Sequence, residues 1–241
     1  MTVFPNLASV AILSYNRAEF LADAIATARN FAGYPLEVIV HDDGSSDPAV
    51  RKLIQTLLDQ RQISKLILSP PGHNQGVGES IRVAFGAASG DVLVKFDQDC
   101  IAQEDWLAKM VDVLWNVADV DGQAREVGMV GGFHYANLAD ERFRTIDTFD
   151  GWESVTDFVG SVFALKRSTY EKYGIDTHSE AFAEDWTLKQ QLQADGYLLA
   201  LPTDDVIVNR GFGVGPSTVA LSEEPGDVQP IHHGAIVFNR D

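Results

Sequence analysis

The chain has a single cysteine, Cys100, among 241 residues. No internal disulfide can form and no metal site can be built on paired cysteines, which fits a reducing compartment. Positive charge is scarce: 18 lysines and arginines stand against 35 aspartates and glutamates, a formal net charge of −17. That sign excludes nucleic acid and anionic membranes as partners of the surface at large. A divalent cation, or an anionic ligand carried with one, remains compatible. No apolar run approaches the roughly 20 residues that a bilayer span needs. The opening MTVFPNLASVAIL has no basic residue ahead of its apolar stretch, so it does not read as a signal peptide, and a cytoplasmic protein is expected. The glycine fingerprint of a dinucleotide site is missing too. The first apolar run leads into SYNRAEF, and the glycines at 76 and 78 do not directly follow a strand.

What is present is ordinary globular composition, 45% hydrophobic and 22% charged, which suits one large α/β domain. Apolar runs alternate with amphipathic segments. Strands are expected at Leu7–Ser14, Leu36–His41, Lys65–Ser69 and Asp91–Phe96. A first helix is expected after Asn16 as its cap, with Glu19 completing a capping box and Phe20, Ala24, Ile25 and Ala28 on one face. A second follows Asp47-Pro48, an N-cap and N1 proline, with Val50, Leu53, Ile54, Leu57 and Leu58 as its buried stripe. Further helices are expected near Glu79–Ser89 and Glu104–Val117. This β-α alternation implies a mostly parallel sheet with helices on both faces. After about residue 120 the pattern loosens. VGMVGG, FVGSVFAL and DVIVN read as strands, Glu184-Asp185 precedes a helix carrying Leu188 and Leu192, and the tail from Gly211 reads as a covering loop.

In open α/β sheets ligands sit beyond the carboxyl ends of the strands. Three polar clusters fall there: SYNR (Ser14 to Arg17), HDDGSSD (His41 to Asp47) and DQDC (Asp97 to Cys100). In DQD, residues two apart on an extended segment point the same way, so Asp97 and Asp99 can face one cation. The alternative is a solvated acidic turn. Mg²⁺ and Mn²⁺ favour such oxygen donors, and Mg²⁺ commonly takes one or two carboxylates plus substrate phosphates. DDGSSD reads either as turn chemistry or as Asp42 or Asp43 accepting from a nucleobase N–H. SYNR reads either as a cap and a surface arginine, or as Tyr15 against a base and Arg17 reaching a phosphate.

Taken in order, AILSYNR, VIVHDDGSSD, HNQGVGESIRVAFGAASGD, VLVKFDQDCIAQEDWL and AFAEDWTLKQQLQADGY resemble a family 2 glycosyltransferase of the GT-A fold, over about residues 7–200. DQD followed by a small residue is similar to rhamnosyltransferase-like members. The resemblance implies one domain: a nucleotide-sugar half at about 1–120, an acceptor half at about 121–210 and a covering tail at 211–241. It implies an inverting transfer from a UDP- or dTDP-linked sugar to the hydroxyl of a glycan or glycolipid, which could bring the protein to the inner membrane face. A homodimer is left open.

The same resemblance assigns roles. Asp43, with Asp42 nearby, accepts from the N3–H of a pyrimidine base. Ser14, Tyr15, Arg17 and Gln98 line the nucleotide site. Asp97 lies near the ribose and the metal, and Asp99 ligates Mn²⁺ or Mg²⁺. Arg82 approaches the diphosphate, with a solvated arginine as the alternative. Asp185 is the general base, while Glu184 and Asp185 also read as complements of the following helix N-terminus. Trp186 is an acceptor platform or a core residue, and Trp152, Glu184 and Asp150 are acceptor contacts. Where such enzymes often carry a further ligating histidine, this chain has Asn209, with His232 and His233 later in the tail. His73 reads as a surface loop residue and Cys100 as packed. Other classes are a nucleotide-sugar-binding protein of the same fold without turnover, and a D-x-D phosphatase. In the latter the motif belongs on the first strand, whereas here it ends the fourth.

Overall fold

The structure is a computed structural model. It describes residues 5–120, 122–134, 143–177 and 184–210, and the backbone of 236–239. The first half alternates strictly: β1 (Ala8–Ser14), α1 (Ala18–Asn30), β2 (Leu36–Asp42), α2 (Pro48–Asp59), β3 (Lys65–Leu68), α3 (Val77–Ala87) and β4 (Val92–Asp97). Then come β5 (Cys100–Ala102), α4 (Trp106–Trp115), β6 (Val117–Val120), β7 (Gln123–Gly131), β8 (Thr145–Phe149), β9 (Trp152–Val155), β10 (Val162–Lys166) and α5 (Arg167–Tyr173). The chain continues through α6 (Trp186–Ala194), β11 (Leu198–Pro202), β12 (Ile207–Asn209) and β13 (Ile236–Asn239).

One eleven-stranded sheet runs β13-β3-β2-β1-β4-β10-β7-β11-β9-β8, with β6 beside β7. β3, β2, β1 and β4 are parallel, as their helical crossovers require. β10 inserts antiparallel between β4 and β7, so the sheet is mixed and crosses from the regular half into the irregular one. The strands read as continuous apolar runs because both faces are covered. Val10, Ile12, Val38, Val40, Val94 and Phe96 point to one face, where α1, α2 and α4 bring Leu21, Ile25, Ile54, Trp106 and Met110. Ala11, Leu13, Ile39 and Leu93 point to the other, where α3 and α6 bring Ile81, Phe85, Leu188 and Leu192. Among the described residues no helix is long and apolar enough to cross a membrane.

Several local expectations change. Asn16 does not cap α1: Arg17 holds that position without a side-chain cap bond, and no capping box closes. Asn16 instead sits at φ 51°, and its side-chain oxygen accepts from the Ser46 and Asp47 N–H groups at 2.8 and 3.1 Å. An asparagine tolerates that left-handed backbone and clips SYNR to DDGSSD. Asp47 does cap α2, accepting from Ala49 N at 2.8 Å. FVGSVFAL is a strand only from Val162. The preceding residues form a loop whose carbonyls accept from Lys189 Nζ, Lys95 Nζ and Asp97 N, so an apolar run is here no proof of a long ladder. The β8–β9 hairpin and the all-buried β11 were not anticipated from the pattern.

Parallel register delivers the polar clusters to one edge. Ser14 lies opposite Asp42, and Leu13 opposite Asp97. Beneath them His41 is fully buried, its Nε2 3.3 Å from Ser69 Oγ. Burial outweighs the pull of Glu79 and holds the imidazole down from the usual 6.5 to about 4. The unfolded chain takes up this proton near 6.5, so the contribution is intact above that pH and is lost as pH falls toward 4. The displacement corresponds to about 3 kcal/mol. His41→Gln is expected to remove about that much from the stability difference between pH 7 and pH 4 in urea denaturation.

Candidate active site

The end of β1 is fastened to the DQD turn by one side chain. The Gln98 amide accepts from Tyr15 N at 3.1 Å and donates to Tyr15 O at 2.9 Å, copying a strand partner where the ladder has ended. Gln98, expected to line the nucleotide site, is thus committed to the Tyr15 peptide. The Tyr15 side chain is exposed, and Ser14 Oγ is buried with no partner among the described residues. Arg17 reaches across to Asp99, NH1 to Oδ2 2.8 Å, with its guanidinium over the Phe20 ring.

At the end of β2 the two acids have separate partners. Asp42 is wholly buried, accepts from Ser45 Oγ and lies 3.7 Å from Arg51. Asp43 accepts from the Gln75 and Gly76 N–H groups at 2.9–3.0 Å, which pins the HNQG loop and the start of α3 beside the strand end. Burial raises both carboxyls above their usual range, against these hydrogen bonds.

The DQD acids sit among charges that the sequence did not advertise as a site. Lys95, two residues before Asp97 and so on the same face of β4, is 3% exposed. Its Nζ lies 2.7 Å from Asp97 Oδ1, 2.7 Å from the Gly160 carbonyl oxygen and 3.9 Å from Glu184 Oε1. Burial pushes the Asp97 carboxyl up to about 6 despite Lys95, with the Asp99 and Glu184 charges adding to the rise. Burial also opposes the Lys95 ammonium, but Asp97 and Glu184 outweigh it and raise its pKa. Cys100 is buried and its thiol pushed well up by burial, so it is a packed, protonated residue. Asn209 stands opposite Cys100 in the β5–β12 ribbon, and Arg210 N donates to Asp99 O at 2.9 Å. The late strand therefore does abut the DQD turn. Among the described residues no group of three or more His, Cys, Asp or Glu forms a closed metal cage. Two oxygen donors at one turn, Asp97 and Asp99, fit a Mg²⁺ or Mn²⁺ ion whose other ligands are phosphates and water.

The acid pair before α6 faces this cluster. Glu184 and Asp185 are both buried. Asp185 makes no side-chain cap bond to α6; its Oδ2 lies 2.7 Å from Lys189 Nζ, one turn on. Lys189, itself buried, also pairs with Asp157 at 2.8 Å and donates to the Phe158 carbonyl. Gly160 lies against the Asp185 carboxylate so closely that a Cβ there would stand 2.1 Å from Oδ2. The Asp157–Ser161 loop is therefore a crossbar: Lys189 grips one end, Lys95 the other, and Ser161 O accepts from Asp97 N at 3.0 Å.

The other expected residues divide. Trp186, first in α6, is 43% exposed, which removes the core alternative. Trp152 is buried in the core at the start of β9, and this corrects its expected place at the acceptor. Asp150 occupies the β8–β9 turn at φ 45°. The Arg82 guanidinium is bound by Glu79 on its own helix, Nε to Oε2 2.6 Å, and feels the Tyr170 phenol, so no described contact joins it to the DQD acids. His73 is exposed in its loop. His232 and His233 lie outside the described residues. Sequence reasoning missed Lys95, Lys189, Asp157 and Gly160. Two signals were there: a lysine inside an apolar strand at i−2 from an aspartate, and an Asp–Lys pair at i, i+4 on a helix.

An α/β sheet of this strand order, with acids gathered at the ends of β2 and β4 beside the end of β1 and an acid pair facing them, is the GT-A fold of glycosyltransferases. The chain belongs to glycosyl transferase family 2, whose model matches residues 9–174. An uncharacterised glycosyltransferase of Nostoc sp. is 32% identical over 139 residues, 58% of this chain and 39% of that protein. The undecaprenyl-phosphate 4-deoxy-4-formamido-L-arabinose transferase of Pectobacterium carotovorum is 30% identical over 142 residues, 57% of this chain and 39% of that protein. The chain thus spans about two fifths of the length of these relatives. The solved mannosyltransferase PcManGT from Pyrobaculum calidifontis, in complex with GDP-Man and Mn²⁺, superposes with a TM-score of 0.62 at 22% identity. That match covers 84% of this chain and 56% of that one.

The two ion pairs should behave differently. Lys189→Met leaves Asp157 and Asp185 buried without their cation and is expected to cost about 3–5 kcal/mol in urea denaturation. Arg17→Ala breaks a pair whose arginine is 40% exposed and is expected to cost less than about 1 kcal/mol.

Proposed function

We propose that the protein is an inverting glycosyltransferase that moves a sugar from a UDP- or dTDP-linked donor to an acceptor hydroxyl, with Asp185 as general base. The observation that supports this most is the Lys95 bridge between Asp97 and Glu184, which joins a donor-side acid to the acid pair through one buried cation. In this reading residues up to about 120 hold the nucleotide and the remainder faces the acceptor. The Asp43 carboxylate, fixed by the Gln75 and Gly76 amides, keeps acceptor capacity for a base N3–H, since a carboxylate offers about four lone-pair sites. Tyr15 bounds the base and Ser14 the ribose side. Arg17 supplies positive charge for the diphosphate.

Asp99 and Asp97 would hold Mn²⁺ or Mg²⁺, an assignment in keeping with the Mn²⁺ in the complex of the solved mannosyltransferase. When bound, such an ion neutralises charge that develops on the leaving diphosphate. Asp185 takes the proton of the acceptor hydroxyl, and that oxygen forms a bond to the anomeric carbon while the bond to the diphosphate breaks. One displacement inverts the configuration with no covalent intermediate. Lys189 and Gly160 hold the Asp185 carboxylate still for this step. Trp186, exposed beside Asp185, gives a sugar ring an apolar face, which favours a glycan or glycolipid acceptor. A lipid-linked acceptor would bring the enzyme to the inner membrane face, and the relative named for undecaprenyl-phosphate keeps that class in the reading.

Thermal shift with UDP, dTDP and GDP, each with and without Mn²⁺, tests the donor site. Stabilisation by a pyrimidine diphosphate that depends on Mn²⁺ is expected, about 2.7 kcal/mol at a hundredfold excess over Kd. No response to any nucleotide contradicts the proposal. Asp185→Asn is expected to keep that shift and to lower the transfer rate by about 10²–10⁴-fold. Normal turnover in that variant would mean that another group is the base.

A further inference from the structure

Lys95 interrupts the otherwise apolar run of β4, and its side chain is buried. A buried cation is costly unless its partners are charged and well placed, so its position is dictated by them. Those partners come from three separate parts of the chain. Asp97 lies on the same strand, the Gly160 carbonyl on the Asp157–Ser161 crossbar, and Glu184 ahead of α6. An ammonium has three N–H donors in a fixed tripod. Two meet oxygens at 2.7 Å, and Glu184 stands at 3.9 Å, close enough to be held by charge. Gly160 in turn touches the Asp185 carboxylate. One cation therefore reaches Asp97 directly, Glu184 directly and Asp185 through a glycine that has no side chain to yield.

We propose that Lys95 is a positioning residue: it sets the separation of the donor-side carboxylate Asp97 from the acid pair Glu184–Asp185, and so aligns the sugar's leaving bond with the incoming acceptor oxygen. The inference rests on the transferase reading above. Lys95 does not touch substrate. Its effect passes through the crossbar and Glu184, and it governs whether the acceptor hydroxyl or a stray water meets the anomeric carbon.

The test compares wild type, Lys95→Met and Lys95→Arg as full chains, each checked for folding by its urea midpoint. Nucleotide release and sugar transfer are measured separately, and UDP with Mn²⁺ is titrated as the donor-site probe. Lys95→Met is expected to change the Kd for UDP with Mn²⁺ much less than it slows transfer. Its transfer kcat should fall about 10²-fold, the usual cost of misplacing reacting groups by about 1 Å. Its ratio of donor hydrolysis to transfer should rise. Lys95→Arg keeps the charge in a planar fork and is expected to fall between the two, about tenfold down in kcat. A purely structural lysine would lower the urea midpoint and leave kcat and the hydrolysis ratio of the folded fraction unchanged. That result in either folded variant overturns the proposal, and Lys95→Arg decides alone if Lys95→Met does not fold. A wild type that releases no nucleotide from any nucleotide sugar overturns the transferase reading, and this inference with it. A wild type that turns over beside unaffected Lys95 variants overturns this inference only.

Discussion

The Lys95 ammonium lies 2.7 Å from Asp97 Oδ1 where little water reaches, and the crevice is organised around that contact. Carboxylates brought together at strand ends repel one another, and burial makes each harder to ionise, as the Asp97 carboxyl near 6 records. The fold answers with two buried cations and one at the rim. Lys95 serves Asp97 and Glu184, Lys189 serves Asp157 and Asp185, and Arg17 covers Asp99. On the proposed reading a divalent ion and a diphosphate complete this arrangement. The balance then comes from protein and ligand jointly.

The sheet explains why these charges meet. Parallel β2, β1 and β4 end in register, so turns distant in sequence emerge side by side. The antiparallel insertion of β10 next to β4 has a second consequence. It starts the strand immediately after the crossbar, which places Gly160 and Ser161 against Lys95 and Asp97. The regular and irregular halves are therefore joined at the site by hydrogen bonds as well as by the sheet.

Much of the first half was legible because its signals are periodic and local. Buried runs, a proline-started α2 with its Asp47 cap, and polar clusters at run ends follow from chain physics alone. The site was legible as residue types at strand ends. The counter-ions were not, because pairing is a tertiary fact. Lys95 inside its apolar run and Lys189 on its helix were not singled out in the sequence as partners of the site acids. Asn16 had the composition of a cap but the geometry of a clip between two loops. Phe158 to Ser161 looked like strand because the segment is apolar, yet its backbone groups are taken by Lys95, Lys189 and Asp97. Trp152 and Trp186 were both acceptor candidates in the sequence, and burial separates them: Trp152 is packed in the core and Trp186 is exposed.

On the proposed reading the acids of β2, β4 and the α6 entrance serve one bound nucleotide sugar. A crystal structure of the protein with UDP or dTDP and Mn²⁺ tests it most directly. An anomalous manganese peak coordinated by Asp99 and the diphosphate is expected, with the base against Asp43 and open room between the diphosphate and Asp185. A nucleotide seated away from these strand ends, or manganese bound without Asp99, would contradict it.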